Sequence, residues 1–138
     1  MEQARVERTL PHPVGEVWAV VSSFGGLRGW IPDLERCSVE GVGVGAVRTV
    51  TVAGHTVDER LEVLDPDAHV VTYAVLPPHP FPADDVTGTI RLTDDGADGT
   101  LVEWWCEAGH VDDTDLMVRM VRRLYRTSVE GLEAFLAD

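Results

Sequence analysis

The sequence predicts an α+β fold, a curved seven-stranded antiparallel sheet wrapped around a long C-terminal helix, with two short helices after the first strand. Three observations predict it. Six β-branched or aromatic runs follow one another between residues 34 and 108, each closed by a turn signal, and a further run opens the chain at 3–10. From about residue 113 to 136, apolar side chains recur in the three-four rhythm of one helical face. Strands gathered ahead of a terminal helix can bury both surfaces only if the sheet packs over the helix.

Residues 3–10 alternate through Ala4, Val6, Arg8 and Leu10 and read as the first strand. Pro11 and Pro13 stop it, and Pro13 is placed to open a helix over Val14–Phe24. Gly25-Gly26 closes that helix, and Leu27–Ile31 forms a second short piece ended by Pro32. Strands are expected at 34–40, 46–52, 55–64, 69–76, 86–93 and 100–108. Between them lie Gly41–Gly45, Ala53-Gly54, Pro66-Asp67-Ala68, Pro77–Pro82 and Asp94–Gly99. The last helix carries Met117, Met120, Val121, Leu124 and Tyr125 on its apolar face and Arg119, Arg122, Arg123 and Arg126 on the opposite one. Asp112, Asp113 and Asp115 stand at its positive end. No repeat or linker divides the 138 residues, so 1–138 is expected to be one domain.

Composition narrows the function. The formal net charge is −13, a surface that repels phosphate backbones and anionic lipid, so neither nucleic acid nor a membrane is an expected partner. All 11 basic residues are arginine; without lysine neither a Schiff-base lysine nor a lysine-anchored pyridoxal cofactor is possible. Cys37 and Cys106 make neither a disulfide framework nor a metal clip. The first residues carry no leader pattern, and the expected location is cytoplasmic. Five histidines lack ligand spacing, so no metal and no cofactor are expected. Asp94–Gly99 lacks the alternating acids of a calcium loop, and the glycines at 41–45 lack dinucleotide-binding spacing.

Strand parity shows what faces inward. A tight turn at Ala53-Gly54 sets Val52 against His55, Val50 against Val57, Arg48 against Glu59 and Ala46 against Leu61. That set is mostly apolar and should line the interior, yet it holds an arginine opposite a glutamate. Opposed residues touch, and an inward charge needs a partner. The pair is either an internal salt bridge that sets the hairpin or a polar anchor inside a greasy cavity. A three-residue loop at 66–68 places Leu61 opposite Tyr73 and Val63 opposite Val71. Val102, Trp104, Cys106 and Ala108 share the inner face of the last strand, leaving Glu103, Trp105 and Glu107 outside. Val86, Ile90 and Leu92 face inward on their strand, and Asp84 continues that parity. Asp84 is then either a solvated loop acid or a polar group at the cavity mouth. His55 at a hairpin tip and His79 in a proline-rich rim are either surface histidines or acid–base groups.

Pro13-Val14-Gly15-Glu16-Val17-Trp18, Trp30-Ile31-Pro32, Gly45-Ala46-Val47-Arg48, Asp58-Glu59-Arg60-Leu61 with Asp65, Tyr73, Trp104 and the terminal helix occur in that order. Together they resemble the helix-grip domains of the START/Bet v 1-like (SRPBCC) superfamily, and within it the bacterial polyketide cyclase/dehydrase-like proteins. The resemblance implies a cavity between sheet and helix, with positions 48 and 59 pointing in and Trp30 and Trp104 around it. It also implies an aromatic where this chain has Asp84. A small hydrophobic, polyketide- or aromatic-like metabolite is the implied partner, and bacterial secondary metabolism the implied setting. The expected lining is Trp30, Val50, Val52, Val57, His79, Phe81, Asp84, Val86, Trp104, Met117 and Leu124.

Two functions follow as expectations. An enzyme of lyase or isomerase type would use Glu59 as acid or base, Arg48 or Tyr73 to stabilise an oxyanion, and His55 or His79 as proton shuttle. Cyclisation or dehydration needs no cofactor. A lipid-like binding or transport protein would use the same residues only to hold its ligand. If the cavity were filled by side chains, an interaction module on the outer sheet, led by Trp105, would replace both. A monomer or a homodimer is expected.

Overall fold

A computed structural model describes residues 2–138. Its elements, in chain order, are β1 (Glu2–Leu10), α1 (Val14–Val21), a 3-10 turn (Leu27–Gly29), β2 (Leu34–Glu40), β3 (Val47–Val52), β4 (His55–Asp65), β5 (Val70–Leu76), β6 (Ala83–Asp84), β7 (Thr87–Asp94), β8 (Thr100–Glu107), β9 (His110–Val111) and α2 (Thr114–Ala137). Seven strands form one sheet in the order β1-β8-β7-β5-β4-β3-β2, every neighbouring pair antiparallel. The helical segment after β1 carries the chain to the far edge, and the strands then meander back until β8 pairs with β1. α2 lies across the concave face. This is the helix-grip α+β architecture.

Local chemistry explains each register. Ala53 and Gly54 have φ of 50° and 83°, the pair of left-handed residues that a two-residue hairpin requires. The predicted register follows: Arg48 faces Glu59, Val50 faces Val57 and Val52 faces His55. The next hairpin departs from parity. Leu61 does face Tyr73, but a bulge between Leu61 and Val63 puts Val63 opposite Thr72 and Leu64 opposite Val71. The Asp65 carboxylate accepts the amides of Asp67 and Ala68, both at 3.0 Å, and His69 takes φ 56°, so the turn uses one residue more than a simple loop. The extra residue is absorbed by the bulge, and Val63 ends 41% exposed instead of inward.

Two further differences matter for the site. α1 stops at Val21, not Phe24, which frees Phe24 to turn toward the sheet. Asp85 has φ 54° and interrupts the alternation that would have carried Asp84 inward. Ala83-Asp84 instead forms a separate ribbon with His110-Val111, a pairing not predicted.

The core lies between α2 and the sheet. Met117, Val121, Tyr125, Val129 and Leu132 pack onto Leu61, Val71, Ile90, Leu92 and Val102. Asp113 caps α2, its Oδ1 accepting the Leu116 amide at 3.0 Å, a contact worth about 1 kcal/mol. On the convex face Trp105 does point outward, but Arg5 and Arg91 lie over its ring at 4.4 and 5.3 Å. The same arginines clasp Glu103, which is 8% exposed. Trp105 therefore has two structural partners.

Two glycines test how tightly the helices are seated. A Cβ on Gly131 would strike the Trp30 carbonyl oxygen and the Pro32 ring, whereas one on Gly15 in α1 would meet nothing. Gly131→Ala should therefore lower the melting temperature by several degrees, since overpacking costs ~1–3 kcal/mol and backbone cannot yield cheaply. Gly15→Ala should raise it slightly through helix propensity, by at most ~1 kcal/mol. Calorimetry of both variants checks the pair, and a neutral Gly131→Ala would show that the seat is loose.

Candidate functional site

The concave sheet and α2 enclose a cavity of about 620 Å³, within the range of small-molecule sites. The β3–β4 hairpin supplies its apolar floor through Val50, Val52 and Val57. Trp30, Phe81, Trp104 and Leu124 close it from other elements. His55 and Asp33 on the sheet side and Arg123 and Thr127 on α2 are exposed and mark its mouth.

Inside this apolar shell sits one ion pair. Arg48 Nε donates to Glu59 Oε1 at 2.7 Å, with side chains only 9% and 15% exposed. Arg48 Nη1 donates to the Phe24 carbonyl at 3.0 Å. The guanidinium lies between the Phe24 ring at 4.2 Å and the Tyr73 ring at 5.0 Å, an arrangement favourable to a desolvated cation. Nη2 of Arg48 and Oε2 of Glu59 make no hydrogen bond among the described residues and remain available to a ligand.

Beneath the arginine lies a hydrogen-bonded aromatic group. Trp104 Nε1 donates to the Tyr73 hydroxyl at 3.1 Å, and Trp104 stacks on Tyr125 with centroids 4.5 Å apart. The Tyr125 hydroxyl lies beside that of Tyr73. Their hydroxyls sit over Gly88, where any Cβ would collide with Tyr73. Burial raises both phenols well above their ordinary 10.0, with the negative charge of nearby Glu59 adding to the effect. Burial also pushes the Cys106 thiol up to about 11. Cys106 is 1% exposed and packs as a small apolar group.

The four residues expected to do chemistry, Glu59, Arg48, Tyr73 and His55, all line this cavity, as do Trp30, Val50, Val52, Val57, Phe81, Trp104 and Leu124. Four expected lining residues do not. Met117 is fully buried in the core, because α2 presents one stripe to the core (117, 121, 125, 129, 132) and a neighbouring one to the cavity (120, 124, 128). His79, Asp84 and Val86 line a separate pocket of about 480 Å³ beside Arg60 and Glu62. His79 Nδ1 accepts the Phe81 amide at 3.2 Å, so within Pro77–Pro82 Phe81 faces the cavity and His79 the outer pocket. Asp84 is exposed opposite His110, for the reason given by Asp85.

Sequence reasoning missed Phe24, Met120, Arg123, Thr127 and Ser128. Arg123 and Thr127 flank the 120–124 stripe on a helical wheel, so they border the cavity instead of opposing it. Phe24 could not be placed while it was counted inside a helix. Among the described residues no group of three His, Cys, Asp or Glu side chains is clustered to hold a metal ion. No helix among them is long and apolar enough to cross a membrane.

Comparison with known proteins agrees with this geometry. The family described as polyketide cyclase / dehydrase and lipid transport matches residues 1–137. Among solved structures, an uncharacterised protein from Bacillus thuringiensis is 25% identical, with a TM-score of 0.85 and coverage of 96% of this chain and 97% of that one. XoxI from Bacillus cereus is 24% identical, with a TM-score of 0.85 over 96% and 94%. Ara h 8.0201 is 18% identical, with a TM-score of 0.77 over 97% of each chain, and shares the fold.

The buried phenols can be read directly, since the chain has two tyrosines and both are here. A phenol raised above 10.0 contributes stability that is complete below pH 10 and is lost as pH rises from there toward the folded value. Tyrosinate absorbance should therefore stay flat through pH 10 and rise only together with loss of near-ultraviolet circular dichroism. Free titration of either tyrosine near its ordinary value in folded protein would contradict the buried pair. Tyr73→Phe, which leaves Trp104 Nε1 without its acceptor, should cost ~1–3 kcal/mol in denaturant unfolding.

Proposed function

The chain belongs to the polyketide cyclase/dehydrase and lipid-transport family, and from that premise we propose that its cavity binds one small, largely apolar, polyketide- or aromatic-like molecule and performs a cofactor-free proton transfer on it, as cyclisation or dehydration requires. The observation that carries this reading is the Arg48–Glu59 pair, the charged centre of an otherwise apolar cavity.

Each residue has a role in the proposed step. A ligand carbonyl approaches Nη2 of Arg48, whose charge stabilises the oxyanion that forms when a neighbouring carbon loses a proton. Glu59 Oε2 takes that proton. In a dehydration the same carboxyl then returns it to the departing hydroxyl, which leaves as water, so no external acid or base is consumed. Phe24 and Tyr73 keep the guanidinium planar to the site, while Trp104 and Tyr125 hold Tyr73 in place. His55, exposed at the mouth, exchanges protons with solvent.

A carrier is the second reading, favoured by how firmly Arg48 is already committed through Nε to Glu59 and Nη1 to Phe24. Native mass spectrometry of the purified protein should reveal a co-purifying small molecule, and incubation with that compound separates turnover from retention. Under the enzymatic reading, Glu59→Gln lowers turnover by ~10²–10⁴-fold with binding retained. If the pair is only a hairpin lock, the variant instead loses stability, ~3–5 kcal/mol for stranding the arginine, without a kinetic defect in what folds. A stable, fully active Glu59→Gln protein would move the chemistry elsewhere. Trp104, 6.0 Å from Trp30 between ring centroids, should report occupancy through its emission. Trp104→Phe should reduce that signal by more than Trp18→Phe, whose ring packs on His69 outside the cavity lining.

A further inference from the structure

Two polar groups of the cavity wall take no part in the Arg48–Glu59 chemistry. Ser128 lies on α2, lines the cavity and is 1% exposed. Its neighbour Thr127 donates back to the Arg123 and Leu124 carbonyls at 2.9 and 3.0 Å, the usual refuge of a helical hydroxyl. Ser128 makes no such bond, nor any other to a described residue. Trp30 lines the same cavity, and its Nε1 is buried without an acceptor among the described residues. The two are neighbours in the fold, since the Trp30 carbonyl packs against Gly131, one helical turn beyond Ser128. A buried donor left unpaired is costly, and native proteins keep few of them without a use.

We propose that Ser128 and Trp30 form a second polar subsite that takes a neutral oxygen of the ligand while Arg48 holds another. The inference rests on the ligand-binding role proposed above. It assigns the ligand a chemical class: an apolar skeleton oxygenated at two separate positions, not a hydrocarbon chain with a single head group. An indole N–H can only donate and a hydroxyl can donate or accept, so the group bound here must be able to accept: a carbonyl, an ether or a hydroxyl. Neither Ser128 nor Trp30 carries a formal charge, which favours a neutral oxygen over a carboxylate as the group they bind.

Calorimetric titration with 2-naphthol and 2,6-dihydroxynaphthalene tests this, because the probes share a skeleton and differ by one oxygen. The wild type should prefer the dihydroxy compound. Ser128→Ala and Trp30→Phe should each weaken binding of that compound by about 3- to 10-fold, the size of one net hydrogen bond. Each should weaken 2-naphthol by clearly less, so that the wild-type preference between the two probes shrinks. Ser128→Ala should melt no lower than wild type, since no bond within the protein is removed. Variants that keep the wild-type preference, or a Ser128→Ala protein that melts several degrees lower, would overturn the subsite and leave the cavity reading standing. A wild type that binds neither probe would overturn the cavity reading and the subsite with it.

Discussion

A guanidinium taken out of water has to be met by opposite charge, by acceptors and by polarisable surface, and Arg48 meets all three. Glu59 supplies the charge at 2.7 Å, the Phe24 carbonyl a second acceptor, and the Phe24 and Tyr73 rings the two faces. These partners come from β4, from the segment after α1 and from β5, so one desolvated cation ties the hairpin to the α1 end of the molecule. Burying such a pair gains little stability by itself, because desolvation offsets the Coulomb attraction. What it provides is orientation: a charge held still in a low-dielectric cavity acts more strongly on a ligand than one in water.

The convex face solves the same problem in the opposite way. Glu103 is buried there under Arg5 and Arg91, and both arginines stack on Trp105. Each charged group of that cluster has an opposite charge as its partner, and both arginines lie over the aromatic ring. Inside, by contrast, Arg48 Nη2 and Glu59 Oε2 make no hydrogen bond among the described residues, and neither do the Ser128 hydroxyl and Trp30 Nε1. Satisfied polar clusters hold a structure together; unsatisfied ones at a cavity wall are where a ligand can gain affinity.

α2 serves both core and cavity because its faces are rotated relative to each other by about one residue. Met117, Val121, Tyr125 and Leu132 fill the core to near-complete exclusion of water, while Met120, Leu124 and Ser128 front the cavity. Tyr125 joins the two functions, stacking on Trp104 and setting its hydroxyl beside that of Tyr73. The room for both hydroxyls comes from Gly88 on β7, opposite Tyr73.

Local rules sufficed where local chemistry decides the outcome. The seven main strands, the long helix and the β3–β4 register were legible because Ala53-Gly54 admits one tight turn and strand parity then assigns every face. From that register alone the Arg48–Glu59 contact and the cavity-facing positions of Val50, Val52 and Val57 followed, with His55 at the exposed mouth. Parity failed where backbone angles reset it: at the bulge after Leu61, and at Asp85, which turned Asp84 outward. A single left-handed residue or one extra residue resets the faces of the residues next to it, and no composition rule signals either. Helical periodicity marks an apolar face of α2 but not where core gives way to cavity along it, so Met117 and Leu124 read alike, Arg123 reads as opposing the cavity it borders, and nothing singles out Ser128. That boundary depends on how far α2 stands from the sheet, which contacts between distant residues set, among them Gly131 against Trp30.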